Sequence, residues 1–163
     1  ITPSQPITET LTDPSITPTS KVTAIKATPS PTRTPTEVLV FSLDHAIGEN
    51  PQFIIHRTGP GESLQLFADL FQTSIEAIKA ANYDLPTILM VDQIVIIPIN
   101  QIDPSGLPSF TAYNIVDDSI TFAQIASSFS ITLENLTRYN SVNGNYTLHQ
   151  GDWIIIPHLD NQP

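Results

Sequence analysis

Apolar positions along the 163-residue chain fall into two stretches of the same design. Each opens on a short run of β-branched and aromatic residues, Phe53-Ile54-Ile55-His56-Arg57 and Phe110-Thr111-Ala112-Tyr113-Asn114-Ile115, which predicts a strand. Turn residues follow, Gly59-Pro60-Gly61-Glu62-Ser63 and Asp117-Asp118-Ser119-Ile120-Thr121. Apolar side chains then recur at helical spacing, as Leu64, Phe67, Ala68 and Phe71, and as Phe122, Ile125, Ala126 and Phe129. Ser63 and Thr121 stand where a hydroxyl can accept from the unpaired amides of the first helical turn. A second helix is expected to start at Thr73-Ser74 or Ser130-Thr132. It buries Ile75 and Ile78, or Leu133 and Leu136, and ends near Asn82 or Asn140. The closing runs, Ile94-Val95-Ile96-Ile97-Pro98 and Trp153-Ile154-Ile155-Ile156-Pro157, read as strands stopped by a proline that cannot donate to a ladder.

The two stretches form an internal repeat. Phe67-Ala68-Asp69-Leu70-Phe71 aligns with Ile125-Ala126-Ser127-Ser128-Phe129, Ile75-Glu76-Ala77-Ile78 with Leu133-Glu134-Asn135-Leu136, and Asn82 with Asn140. The second copy carries one extra residue between its Asn and its last strand. The expected fold is α+β: two small β-α-α-β domains, each a two-stranded antiparallel sheet with both helices on one face. Their expected bounds are 53–98 and 110–157, joined by a connector at 99–109, with a tail at 158–163. Period-2 alternation turns Val95, Ile97, Ile154 and Ile156 toward the helices. Ile94, Ile96, Trp153 and Ile155 then face the other side of each sheet. A bare sheet should be polar there, so these back faces are expected to be covered, by each other or by the apolar segment Val38-Leu39-Val40-Phe41.

Composition changes sharply upstream. Residues 1–36 hold 11 Thr, 7 Pro and 4 Ser and no aromatic side chain, too little apolar surface to offset the entropy of ordering. Residues 1–37 are therefore expected to be a disordered, semi-extended Thr/Pro-rich stalk, and 38–52 a linker able to pack on the first unit. The formal charge is −10, and from residue 50 onward 11 acidic side chains face 3 basic ones. That sign excludes a nucleic-acid reader, which must neutralise phosphates, and disfavours contact with anionic membranes. No apolar run is long enough to span a bilayer. Cysteine is absent, so thiolate metal sites and disulfides are excluded. His45, His56, His149 and His158 lack metal-ligand spacing. No catalytic residue, metal or cofactor is expected, because paired carboxylates need a cleft that units this small seldom build.

In both units the residues resemble the LysM (lysin motif) family. The first shows Gly61-Glu62-Ser63-Leu64, Phe67-Ala68, Asn82 and Asp92-Gln93-Ile94-Val95-Ile96-Ile97-Pro98; the second shows Ile125-Ala126, Asn140 and Gly151-Asp152-Trp153-Ile154-Ile155-Ile156-Pro157. Two departures stand out. Asp92 occupies a usual glycine position, and Asp118-Ser119-Ile120-Thr121-Phe122 replaces the family's Gly-Asp-Thr-Leu element. The resemblance implies a tandem LysM protein of bacterial type, non-catalytic, binding N-acetylglucosamine-containing glycan such as peptidoglycan or chitin. It also implies an extracellular or cell-surface location, tethered through an upstream signal or anchor outside this sequence. The alternative is a structural or protein–protein interaction domain with this fold and no glycan affinity.

The resemblance places the groove between the loop after the first strand and the loop before the last. In the first unit that names Gly59, Pro60, Gly61, Glu62, Ser63 and Leu64 against Asp84, Leu85, Pro86, Thr87, Ile88 and Leu89. In the second it names Asp117, Asp118, Ser119, Ile120, Thr121 and Phe122 against Val142, Asn143, Gly144, Asn145, Tyr146, Thr147 and Leu148. Turn amides and carbonyls can pair with an acetamido group, and an apolar wall such as Leu85, Pro86, Ile88 or Tyr146 can receive its methyl. Weak affinity per unit is expected to be offset by tandem linkage. Glu62, Asp117 and Asp118 are expected in the first helical turn, complementing the helix dipole.

Overall fold

The computed structural model describes residues 41–158, all within one compact unit. The expected stalk at 1–37, linker residues 38–40 and tail residues 159–163 lie outside the described residues. In chain order the elements are β1 (Ala46–Ile47), β2 (Phe53–Arg57), α1 (Leu64–Leu70), α2 (Ile75–Ala81), β3 (Ile94–Pro98), β4 (Ser109–Asn114), α3 (Phe122–Ser128), α4 (Leu133–Asn140) and β5 (Trp153–His158). The two β-α-α-β runs are present as α+β modules. β2 pairs antiparallel with β3 from Phe53↔Pro98 to Arg57↔Ile94. β4 pairs in the same way with β5, from Ser109↔His158 to Asn114↔Trp153. The first sheet differs from expectation in one respect. β1 adds to the outer edge of β2 through Ala46↔Ile54 and Ile47↔Phe53, making three strands. A two-residue strand has no period of its own, so only its partner reveals it.

Local chemistry sets the helix limits. Ser63, Ser74, Thr121 and Thr132 each accept from a first-turn amide, and Thr121 forms a reciprocal capping box with Gln124. The fourth position of each first-helix stripe falls past the helix, where Phe71 and Phe129 are the C-caps; Phe129 is 42% exposed. In the second helices, Ile78 and Leu136 are fully buried, whereas Leu133 is 38% exposed. Leu133 begins its helix, as does its counterpart Ile75, which is half-buried against the first module's core.

Asn82 and Asn140 do more than cap. The Asn82 amide donates to the carbonyls of Ile78 and Ile96, both at 2.6 Å, and its oxygen accepts from the Ile96 amide at 2.8 Å. Asn140 does the same with Leu136, at 2.8 Å, and with Ile155, at 2.8 and 2.9 Å. Each side chain thus stands in for a missing neighbouring strand, satisfying the free edge of β3 or β5 and tying the second helix to it.

Alternation along β3 holds. Val95 and Ile97 pack with Leu64, Phe67, Ala68 and Ile78 on the helix side of the first module. Ile96 turns the other way, into a shared core with Phe53, Ile55, Phe110 and Ile155. The back faces therefore cover each other. Phe53 and Phe110 meet edge to face at 4.8 Å, and Phe110 meets Tyr139 at 5.1 Å. The Tyr83 amide donates to the Phe110 carbonyl at 3.0 Å, and the Arg57 guanidinium lies 5.9 Å over the half-buried Trp153 ring. Each large side chain so buried contributes roughly 1.5–3 kcal/mol, which makes this seam a major part of the fold.

Candidate functional site

The loop after the first strand and the loop before the last strand are joined by one rung in each module. In the first, the Thr58 amide donates to Gln93 O and the Asp92 amide to Thr58 O, both at 2.8 Å. In the second, the Ile115 amide donates to Asp152 O at 2.8 Å and the Gly151 amide to Ile115 O at 2.7 Å. Asp92 and Gly151 occupy equivalent places with φ of 67° and 96°. That left-handed backbone is why glycine suits the position, and Asp is among the few side chains that tolerate it. Both turns close alike as well. The Met90 amide donates to the Gln93 side chain at 3.0 Å, and the His149 amide to Asp152 Oδ2 at 2.9 Å.

The first cleft is open on its rims. Pro60 and Gly61 are exposed, and Gly61 turns the chain at φ 83°. Pro86, Thr87 and Ile88 are exposed on the facing loop, Ile88 to 81%. Leu85 and Leu89 are half-buried against the helix core, Asp84 is exposed, and Lys79 donates to Thr87 Oγ1 at 3.3 Å. Leu64 is core, and the Ser63 hydroxyl is engaged as an N-cap. Sequence reasoning missed Thr58. Its hydroxyl donates to the Met90 carbonyl and accepts from the Gln93 amide at 2.9 Å, pinning the two rims together.

Glu62 is not in the first turn of α1, which contains no acidic residue. It precedes the N-cap, and its carboxylate accepts from the Gly59 amide at 2.6 Å and pairs with His56 Nε2 at 2.8 Å. The Gly59 hydrogen bond, then His56, holds the Glu62 carboxyl below its ordinary pKa. His56 Nδ1 lies 2.5 Å from Asp44 Oδ1. Burial works to lower the His56 pKa, but the hydrogen bonds and charges of Asp44 and Glu62 together outweigh it and raise the value. A residue of the linker is thereby fastened to a rim of the first cleft.

Asp117 and Asp118 also lie ahead of their helix rather than in its first turn. Asp117 accepts from Ser119 at 2.8 Å, which lowers its pKa, and Asp118 accepts from the Gln150 amide, bridging the rims. On the facing loop Asn143 accepts from the Asn145 amide at 3.0 Å, while Gly144, Asn145 and Thr147 are exposed. Val142 and Ile120 are half-buried; Phe122 and Leu148 are core. Ile115 replaces Thr58 and offers no hydroxyl. Beside it the buried Asp152 Oδ1 has no hydrogen-bond partner among the described residues.

The apolar wall of this second cleft is already in contact with another part of the chain. Phe41, fully buried, packs edge to face on Tyr146 at 5.1 Å and tilted on Phe122 at 6.3 Å. Its carbonyl accepts from the Trp153 amide at 2.6 Å, on the free edge of β5. Of the segment expected as the alternative cover for the back faces, Phe41 packs here on Phe122 and Tyr146; Val38, Leu39 and Val40 lie outside the described residues.

The LysM domain profile matches residues 56–98 and 118–157, together just over half of the chain. The chain belongs to the LysM family. LysM domains are glycan-binding, non-catalytic modules typical of cell-surface and extracellular proteins. Among solved structures, the LysM pair is similar to the spore cortex-lytic enzyme SleL of Bacillus megaterium QM B1551, at 23% identity over 66% of this chain and 23% of that one, with a TM-score of 0.35. It is similar also to SleL of Bacillus cereus, at 20% identity over 64% and 22%, TM-score 0.28. A third is the ectodomain of a receptor like kinase, at 19% identity over 66% and 57%, TM-score 0.26. The chain spans 23% and 22% of the two SleL lengths. No curated protein matches it. Among the described residues no helix is long and apolar enough to cross a membrane, and no cluster of His, Asp or Glu could hold a metal.

Proposed function

We propose that this chain is a non-catalytic binder of N-acetylglucosamine-containing glycan, peptidoglycan or a chitin-like polymer, acting at the cell surface. What carries the reading is the first cleft of a LysM module: two rims pinned by Thr58 and Gln93, with Pro60, Gly61, Thr87 and Ile88 exposed on either side. Fixed rims lower the ordering cost of binding a sugar. Exposed turn amides and carbonyls at Gly61 and Thr87 suit an acetamido group, and Ile88 and Pro86 suit its methyl. Glu62, Asp84 and Asp92 make the surroundings acidic, which fits a neutral sugar better than an anionic one.

Pelleting with insoluble peptidoglycan and with chitin tests the proposal. Retention on either supports it, and retention on an anionic wall should grow as pH falls toward the sequence pI near 4.4. A chain left wholly in the supernatant with both polymers at every pH would point to a LysM-fold interaction domain without sugar affinity. An anchor upstream and a longer parent protein are part of the same proposal, and the sequence of the full gene product tests them.

A further inference from the structure

We infer that Phe41 fills the sugar-facing cleft of the second module, so that each chain offers one open glycan groove, that of the first module. The inference rests on the glycan reading above and specifies which of the two sites is free. Phe122 comes from one expected rim and Tyr146 from the other, and the Phe41 ring touches both. An acetamido methyl would need this same apolar wall. The plug is held at its backbone too, by the Trp153 amide. Three residues on, the Asp44 amide donates to Ile55 O at 2.9 Å and its carboxylate reaches His56, so the strap is anchored on the first module just after it leaves the second.

The equivalent position in the first module is open. Ile94 corresponds to Trp153, and the space of about 170 Å³ beside it is lined by Leu85, Gln93 and Ile94 against Phe110, Thr111 and Ala112 of β4. The cleft rims at Pro60, Gly61, Pro86, Thr87 and Ile88 are exposed. Among the described residues no aromatic side chain of a preceding strap enters there, because β1 runs along β2 on the opposite edge of the sheet. One repeat therefore keeps its cleft and the other surrenders it to the segment that braces the pair. The second module serves as a scaffold for the first.

The test uses the full chain, isotope-labelled, as wild type and as Phe41→Ser, titrated with an N-acetylglucosamine tetramer. In the wild type, amide shifts confined to 59–64 and 84–92, with one tetramer bound per chain, support the inference; comparable shifts at 117–122 and 142–148 overturn it. In Phe41→Ser the second set of loops should begin to respond and the stoichiometry should double. A folded variant still binding once overturns the plug. A readout free of sugar stands beside these. Proton contacts between the Phe41 and Tyr146 rings should be seen in the wild type, and Trp153 amide exchange should quicken about tenfold or more in the variant. Their absence overturns the inference whether or not sugar binds. If both proteins ignore the tetramer while the ring contacts are present, the glycan reading fails and the strap stands.

Discussion

The two modules share a strand register, helix caps, an edge-satisfying Asn and the same backbone rung between their rims, yet their clefts have different neighbours. In the first, Thr58 and Gln93 hold the rims from within, and Glu62 is paired with His56, whose other ring nitrogen reaches Asp44. In the second, Ile115 and Asp152 take those places and Phe41 sits between Phe122 and Tyr146. Duplication thus fixed the scaffold, while the side chains that meet the strap diverged.

The comparison can be broken most forcefully at the seam. Phe110→Ala removes the ring that packs on Phe53 and Tyr139, and should cost roughly 3–5 kcal/mol. Calorimetry should then show two transitions in place of one, because each module loses its cover. A single unshifted transition would mean that the modules do not depend on each other. Next come Asn82→Ala and Asn140→Ala. Each leaves a strand-edge amide and carbonyl unpaired inside the protein, at roughly 2–3 kcal/mol. Their geometries match, so urea titration should give similar losses; a large inequality would show that the repeats bear unequal loads.

Smaller effects sharpen the picture. Gly151→Ala places a side chain on left-handed backbone and should destabilise by about 1 kcal/mol, while Asp92→Gly should shift the urea midpoint upward or leave it unchanged. The least effect concerns pH. His56 has a raised pKa, so its contribution is complete below its ordinary value of 6.5 and fades as pH rises through the elevated one. Glu62 has a depressed pKa, so its contribution is complete above 4.5 and fades as pH falls through the lowered one. Both act together between those two ordinary values. Melting curves of wild type and His56→Gln should differ most in that window, by under about 1 kcal/mol, since the pairs are partly solvated. A difference independent of pH would remove the ionic account.

Much of the fold was legible in the sequence because its signals are local. Helical spacing from Leu64 and Phe122, hydroxyl caps at Ser63 and Thr121, and the proline that ends β3 at 98 each act within a few residues, whereas Pro157 did not stop β5, which runs on to pair His158 with Ser109. The rims of the candidate site were legible only as loops. That Leu64, Phe122 and Leu148 are core, that Glu62, Asp117 and Asp118 precede their helices, and that Thr58 pins one cleft required the paired loops to be seen together. Thr58 carried a faint signal, as a hydroxyl at a strand end, but many such residues do nothing similar.

By itself the sequence determined the two β-α-α-β units, their order and their apolar back faces, since period and capping chemistry depend on neighbours along the chain. Only the tertiary structure decided that those faces meet each other, that β1 joins the first sheet, and that Phe41 enters the second cleft. Those outcomes join residues far apart in the chain. No local periodicity encodes them, and they are settled by which apolar surfaces can reach and cover one another.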